Sequence, residues 1–463
     1  MPVRNQIRPV LTLAIPLILA ELGWMAMGIV DTIMVGHMDH PVRAIAAAAL
    51  GQVLYNTLAF GLAGVLLGLD TYISQAHGAG DLDEANRWLL RGLALALLLA
   101  AILAAIIAAA PLALTRMPID HDVLLVAVTF LRALNWGTPV LFLGFVFRRY
   151  LQAFNHVKPI AIALVSSNLI NALVNWILIY GHSWGRIHIP ALGVYGSGIS
   201  TAISRLYLAA FLLAAILRNE RVHNYGLRTV DRAIDRARLV RLALLGAPAG
   251  AQIFVEIAIF ATVTFLIGTM GPLPLAGHEV ALNCASFTFM VPLAISAAAA
   301  VRVGQAIGRK APEEAASAGW AAIALGAAVM ATMALILSVF AHPIAAGFTP
   351  NQAVIAAAIP LLHVAAIFQF FDGLQITANG ALRGAGITNA GLIVQILGYW
   401  IIGVPVGAYL SFHQHLGPTG LWFGLCAGLI FAGIVLTLTW LRTTRNLAVP
   451  HPSESNPAVR AAL

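Results

Sequence analysis

What most constrains this chain is a series of twelve stretches, each of about twenty or more residues with almost no charge. Roughly 20 apolar residues span the hydrocarbon of a bilayer as one helix. In lipid the backbone finds no water to bond, so a spanning run must be a helix or a strand of a closed barrel. Barrel strands alternate in polarity over about ten residues, whereas these runs are continuous, which selects helices. They lie near 9–35, 45–69, 89–111, 123–147, 158–180, 192–217, 242–268, 277–303, 317–340, 353–378, 388–410 and 418–441. Only 10% of the 463 residues are charged, against about 25% in soluble domains, so lipid is the expected solvent. The opening MPVRNQIRP runs into the first apolar stretch without a small-residue cleavage site, and reads as the approach to a spanning helix rather than a signal peptide.

The basic residues orient the bundle. Of 26 Lys and Arg, 21 fall at the termini and in the even-numbered connections. Three (Arg43, Arg116, Arg186) fall in the odd-numbered connections, and two (Arg132, Arg205) lie within apolar runs. Cytoplasmic connections carry the excess of Lys and Arg, which places both termini in the cytoplasm. The net charge of +8 is therefore topological, and no nucleic-acid partner is expected. Cys284 and Cys426 lie inside apolar runs, so no disulfide framework is expected.

The two halves resemble each other. QAHGAGDLDEA (75–85) aligns with QAIGRKAPEEA (305–315), with five of eleven positions identical. Leu13 and Pro16 match Leu245 and Pro248, and LGVYG (192–196) matches LGPTG (416–420). A duplicated unit of six helices returns to its starting side, so the repeats are parallel. The expected organisation is an N-lobe (1–217), a cytoplasmic linker (218–241), a C-lobe (242–445) and a disordered tail rich in Pro and Ser (446–463). The linker carries seven arginines and three acids and reads as a strap between the lobes. This is an all-α integral membrane architecture: two six-helix repeats around a central cavity, a transporter plan, in the plasma (bacterial inner) membrane.

An ionisable residue at the bilayer centre costs roughly 2.5–3.5 kcal/mol on insertion scales, so each one needs a reason. Glu256 in the seventh run lies about 22 Å above the cytoplasmic face and Asp372 in the tenth about 16 Å, at the rise of a helix. Two carboxylates at similar depth can bind a cation or share a proton; alternatively they form structural pairs, with Arg132 or Arg205 as partners. Asp31, about 34 Å beyond Arg8, is either interfacial or part of a wet cavity. The fifth run bears Asn168, Asn171 and Asn175 on one helical face, a stripe that serves as interhelical glue or lines that cavity. Glu21 is a further acid in the first run. Asp70, His278 and Glu279 fall at helix ends, where solvation is the plainer reading, Glu21, Asn168 and Glu279 stand as accessory candidates, and His363 reads as packed or pore-lining. Under the 232-residue shift Asp31 aligns with Val263 and Glu256 with Trp24, so the acids are not duplicated and the halves have specialised. No His/Cys group has zinc spacing and no Walker-type loop is present, so no cofactor is expected and ATP is not the direct driver.

Several motifs together resemble the multidrug and toxic compound extrusion (MATE) family: VDTIMVGHM (30–38), LDTYISQAHGAGD (69–81), SSNLINALVNWILIYG (166–181), GHEVALN (277–283), VRVGQAIGRK (301–310) and ANGALRGAG (378–386). The likeness covers nearly all twelve runs in order and is nearest to the NorM-like branch. It implies a C-lobe site at Glu256 and Asp372 and an N-lobe site at Asp31, Asn171, Asn175 and Thr201. It also implies export of cationic or amphipathic drugs against sodium or protons, by a monomer. Two positions depart from the branch: Phe368 stands where a cation-linked Tyr is common, and Glu21 where Gln is common. Phe368 keeps a π face for a cation but no oxygen. The competing readings are a flippase for lipid-linked oligosaccharides, which usually has fourteen helices and a basic cavity, and an intramembrane enzyme using the carboxylates as acid and base.

Overall fold

A computed structural model of the chain describes residues 3–38, 41–116, 120–184, 187–231, 233 and 235–448. It contains the spans α1 (Arg4–Gly36), α2 (Ala44–Gly78) and α3 (Leu82–Leu114), then α4, a pair of helices (His121–Trp136 and Thr138–Ala153) bent by 48°. There follow α5 (Lys158–Tyr180), α6 (Gly193–His223), α7 (Arg236–Gly268), α8 (Pro272–Gly308), α9 (Pro312–Val339), α10 (Gln352–Gly384), α11 (Asn389–His413) and α12 (Pro418–Leu447). Eleven spans and one bent pair make up the expected twelve. The bend in α4 falls at Gly137 and Pro139, where the proline cannot donate to the preceding turn. The polar connections start the helices: the side chains of Asp81, Asp120, Asp235 and Asn351 accept the first free backbone N–H groups of α3, α4, α7 and α10. The all-α expectation has a small exception, an antiparallel hairpin of β1 (His182–Trp184) and β2 (Ile187–Ile189).

Several helices exceed the bilayer. The 37 residues of α8 rise about 55 Å, so its last turns stand outside the hydrocarbon. This corrects the placement of several cations. Arg148 and Arg149, read as connection residues after 147, belong to α4, and Arg91, Arg302 and Arg383 also sit within helices. They still lie toward the terminus-bearing face, so the charge asymmetry keeps its meaning.

The two halves share packing at that face. One core joins N-lobe side chains with Leu242 of α7, Ala294–Val301 of α8 and Ala321 and Ala322 of α9, all from the terminus-proximal halves of their helices. A second core, with Ile259, Val263, Phe368, Tyr399 and Trp422, draws on the C-lobe alone and belongs to its opposite half. The seam where α2 crosses α7 is made by glycine. A Cβ on Gly64 would approach the Gly250 Cα to 2.6 Å, and one on Gly246 would strike the Val65 carbonyl. With the charge count placing this face in the cytoplasm, the lobes are packed together inside, and the second core holds no N-lobe residue among those described.

The linker is shorter than its polar composition suggested, because α6 runs on to His223 and α7 begins at Arg236. Its residues are docked: Asn86 Nδ2 donates to the Tyr225 carbonyl at 2.8 Å, and the Tyr225 hydroxyl lies 3.1 Å from His156 Nε2. Burial, with His223 alongside, holds the His156 ring below the usual imidazole range. Arg238 donates to both Glu84 oxygens at 2.6 and 2.7 Å, tying the start of α7 to the start of α3. The first three residues of the expected disordered tail, 446–448, instead continue the last helix, and from residue 449 onward it lies outside the described residues. Because the glycine seam meets backbone, a side chain there has nowhere to go. Gly246→Val is expected to destabilise the protein by about 1–3 kcal/mol, the usual cost of overpacking, as a lowered melting midpoint in detergent.

Candidate functional site

In the N-lobe, α1, α5 and α6 bring four of the expected residues together. Asn175 Nδ2 donates to Asp31 Oδ1 at 2.5 Å and to Asn171 Oδ1 at 3.2 Å, and Thr201 Oγ1 donates to Asp31 Oδ2 at 3.4 Å. Asn171 and Asn175 are fully buried. Ser200 joins the site, its hydroxyl donating to the Asn171 carbonyl at 2.9 Å. Asn171 and Asn175 meet there because they are four apart on α5 and so share one face. Asn168, on the same stripe, does something else. Its Nδ2 donates to the Gly23 carbonyl at 2.7 Å and holds α5 against α1. The stripe is thus part site and part glue.

In the C-lobe, Glu256 of α7 and Asp372 of α10 interact electrostatically across the interhelical space, and Tyr399 of α11 interacts with both. Gln395 Nε2 donates to Glu256 Oε2 at 3.2 Å. Arg132 and Arg205 are not partners of these acids. Arg132 is exposed, while Arg205 sits over the Tyr55 ring at 4.8 Å and donates to its hydroxyl at 2.9 Å, within the N-lobe. Phe368 is buried and stacks on Trp422 at 5.6 Å rather than facing open space. Sequence reasoning missed Gln395 and Tyr399. The local signal is backbone: Gln395 directly precedes, and Tyr399 lies within, a π-helical stretch (Ile396–Gly403), a distortion frequent at functional sites. No residue pattern announces it.

Both sites have more acceptors than donors. Asn175 and Gln395 each turn their N–H toward a carboxylate, and each leaves its own buried amide oxygen without a hydrogen-bond partner. A carboxylate with an unpaired amide oxygen beside it can accept a cation, or a proton that donates onward. Oxygen ligands suit hard cations, and among the described residues no group of three His, Cys, Asp or Glu is set to hold a metal.

Three further residues depart from their sequence reading. Asp70 is fully buried, not solvated, and contacts Arg149 at 3.3 Å and Arg383 at 3.4 Å. His278 is also fully buried. Trp422 Nε1 donates to its Nδ1 at 3.0 Å, so its Nε2 carries the proton toward Thr264 Oγ1 at 2.8 Å. Glu21 pairs with Arg148. Glu279 and His363 are exposed and join neither site.

Two six-helix lobes closed at one face, each with a carboxylate site at depth, define a multi-pass integral membrane protein of the transporter type. The MatE family matches residues 16–177 and 248–409, one match in each half. The chain is 32% identical to "Multidrug resistance protein PmpM" of Pseudomonas aeruginosa over 458 residues, covering 97% of this chain and 94% of that protein. It is 35% identical to "Probable multidrug resistance protein NorM" of Geobacillus kaustophilus over 446 residues, covering 95% and 97%. Its fold superposes on the outward-facing conformation of a multidrug resistance MATE family transporter with a TM-score of 0.85, at 21% identity, covering 96% and 97%. The chain belongs to the MATE family.

The division of the asparagine stripe can be tested. Asn168→Ala removes one interhelical bond, and should cost about 0.5–1.5 kcal/mol of stability while efflux of a cationic dye from cells stays within twofold of the parent. Asn175→Ala strips the carboxylate of its shortest donor, and dye efflux should fall by roughly tenfold, since a hydrogen bond to a charged group contributes about 1.5–3 kcal/mol.

Proposed function

We propose that this protein is a cation-coupled multidrug efflux antiporter, exporting cationic or amphipathic compounds in exchange for sodium or protons. The observation that carries the reading is the acceptor excess at Asp31 and at Glu256–Asp372. Among the described residues neither site has an arginine or lysine bonded to its carboxylates; amide and hydroxyl groups donate instead. Such a site is incomplete until a cation or proton arrives, and a drug cation can occupy the same charge. A group that holds either species links the two binding events by competition. One inward charge moving down 100 mV supplies about 2.3 kcal/mol, enough to bias the exchange.

The relatives' names support drugs as cargo, and the matching of both halves supports alternating exposure of a cavity between lobes. A flippase for lipid-linked sugars would need cationic groups for pyrophosphate, and the acids at these two sites bring the opposite charge. Either lobe can supply the ion site on this chemistry.

Proteoliposomes loaded with a cationic dye, given a sodium gradient at constant pH or a proton gradient without sodium, separate the two ions. The expected result is gradient-dependent efflux that falls by about tenfold or more in Asp31→Asn, Glu256→Gln or Asp372→Asn, a loss of at least ~1.4 kcal/mol of stabilisation. Full efflux in all three variants would refute the assignment.

A further inference from the structure

Asp70 sits where the lobes meet, and its carboxylate is shared by two arginines of different lobes. Arg149, from α4 of its own lobe, and Arg383, at the end of α10 of the other, both approach Oδ2, at 3.3 and 3.4 Å. All three side chains are nearly inaccessible, at 1% exposure for Asp70, 11% for Arg149 and 8% for Arg383. The two contacts are unequal. Arg149 makes a hydrogen bond to Asp70 and another to Gln152 Oε1 at 3.0 Å. The Arg383 Nε makes no hydrogen bond, and Asp70 Oδ1 has no partner. Around them α2 grips the end of α10: Thr71 Oγ1 donates to the Arg383 carbonyl at 2.6 Å, and Gln75 Nε2 to the Gly384 carbonyl at 3.1 Å. The Arg383 carbonyl also accepts the Gly386 N–H at 2.9 Å, so Thr71 of α2 is its second donor.

We propose that Asp70 is a latch between the lobes, holding the inner face shut by borrowing Arg383 while Arg149 remains its permanent counter-ion. A buried carboxylate stripped of its partner is strongly disfavoured. Here lobe separation never creates one, because Asp70 keeps Arg149 and Arg383 leaves with its own lobe into water. The closed arrangement buries a net positive charge, with two guanidiniums at 3.3 and 3.4 Å from one carboxylate oxygen and so close enough to repel each other. That repulsion opposes the latch and keeps it releasable. The two arginines therefore have opposite effects on the same equilibrium: Arg383 favours closure and Arg149 favours release.

This rests on the two-lobe transport reading, but its test uses neither drug nor ion gradient, so it stands or falls apart from coupled efflux. Ser74, one turn from Asp70, is buried with its Cβ against Gly304 of the opposite lobe. In a full-length Cys284→Ala, Cys426→Ala background, Ser74→Cys is labelled in detergent with a charged maleimide, and the rate reports opening of the inner face. Arg383→Gln is expected to raise the rate at least fivefold, Arg383→Lys to keep it within twofold, and Arg149→Gln to lower it at least threefold. A purely structural role moves both Gln variants in the same direction, and that result, or no change in either, overturns the proposal. If Arg149→Gln does not give a monodisperse protein, Asp70→Asn replaces it: labelling must rise as for Arg383→Gln, and an unchanged rate overturns the latch.

Discussion

A carboxylate inside a bilayer must be compensated, and how each is compensated sorts the acids of this protein. Charge in hydrocarbon is costly enough that an uncompensated acid would not be retained without a use. Glu21 and Asp70 meet arginines, Arg148 and Arg149, on a helix of their own lobe. Asp31 meets an amide and a hydroxyl, Glu256 meets an amide, and Asp372 lies buried within electrostatic range of Glu256. The first group is neutralised within the protein. The second has no arginine or lysine bonded to its carboxylates among the described residues, which is what the proposed exchange of cations draws on.

The same division runs along the helices. Near the termini, long helices leave the hydrocarbon, arginines can be hydrated or paired, and glycines let α2 and α7 approach to backbone contact. This is where the lobes are joined. Farther along, the C-lobe packs its own core around Phe368, Tyr399 and Trp422 and shares none of it with the N-lobe. The inner seam joins the lobes through glycine contacts between α2 and α7 and through a shared apolar core that includes Leu242, Ile295 and Val301, while the second core stays within the C-lobe.

Much of this was legible in order of residues. The apolar runs gave the number of helices because hydrocarbon thickness is a fixed length, and Glu256 and Asp372 stood out because an acid in such a run is expensive. The three asparagines were legible as a face but not as two functions. Asn168 and Asn175 have the same chemistry, and whether each finds the Gly23 carbonyl or Asp31 depends on the path of α1. Asp70 was misread for a similar reason: its position at the end of an apolar run suggested water, and the arginines that bury it come from α4 and α10.

The sequence by itself determined the spans, their duplication, their orientation and the scarcity of intramembrane charge, all of which depend on local composition against a slab of known thickness. The tertiary structure decided which partners each charge receives. Gln395 of α11 reaches Glu256 of α7, and Arg383 reaches Asp70 because α10 ends against α2. Pairing of that kind depends on the approach of helices far apart in the chain, and the one-dimensional pattern of polarity carries no record of it.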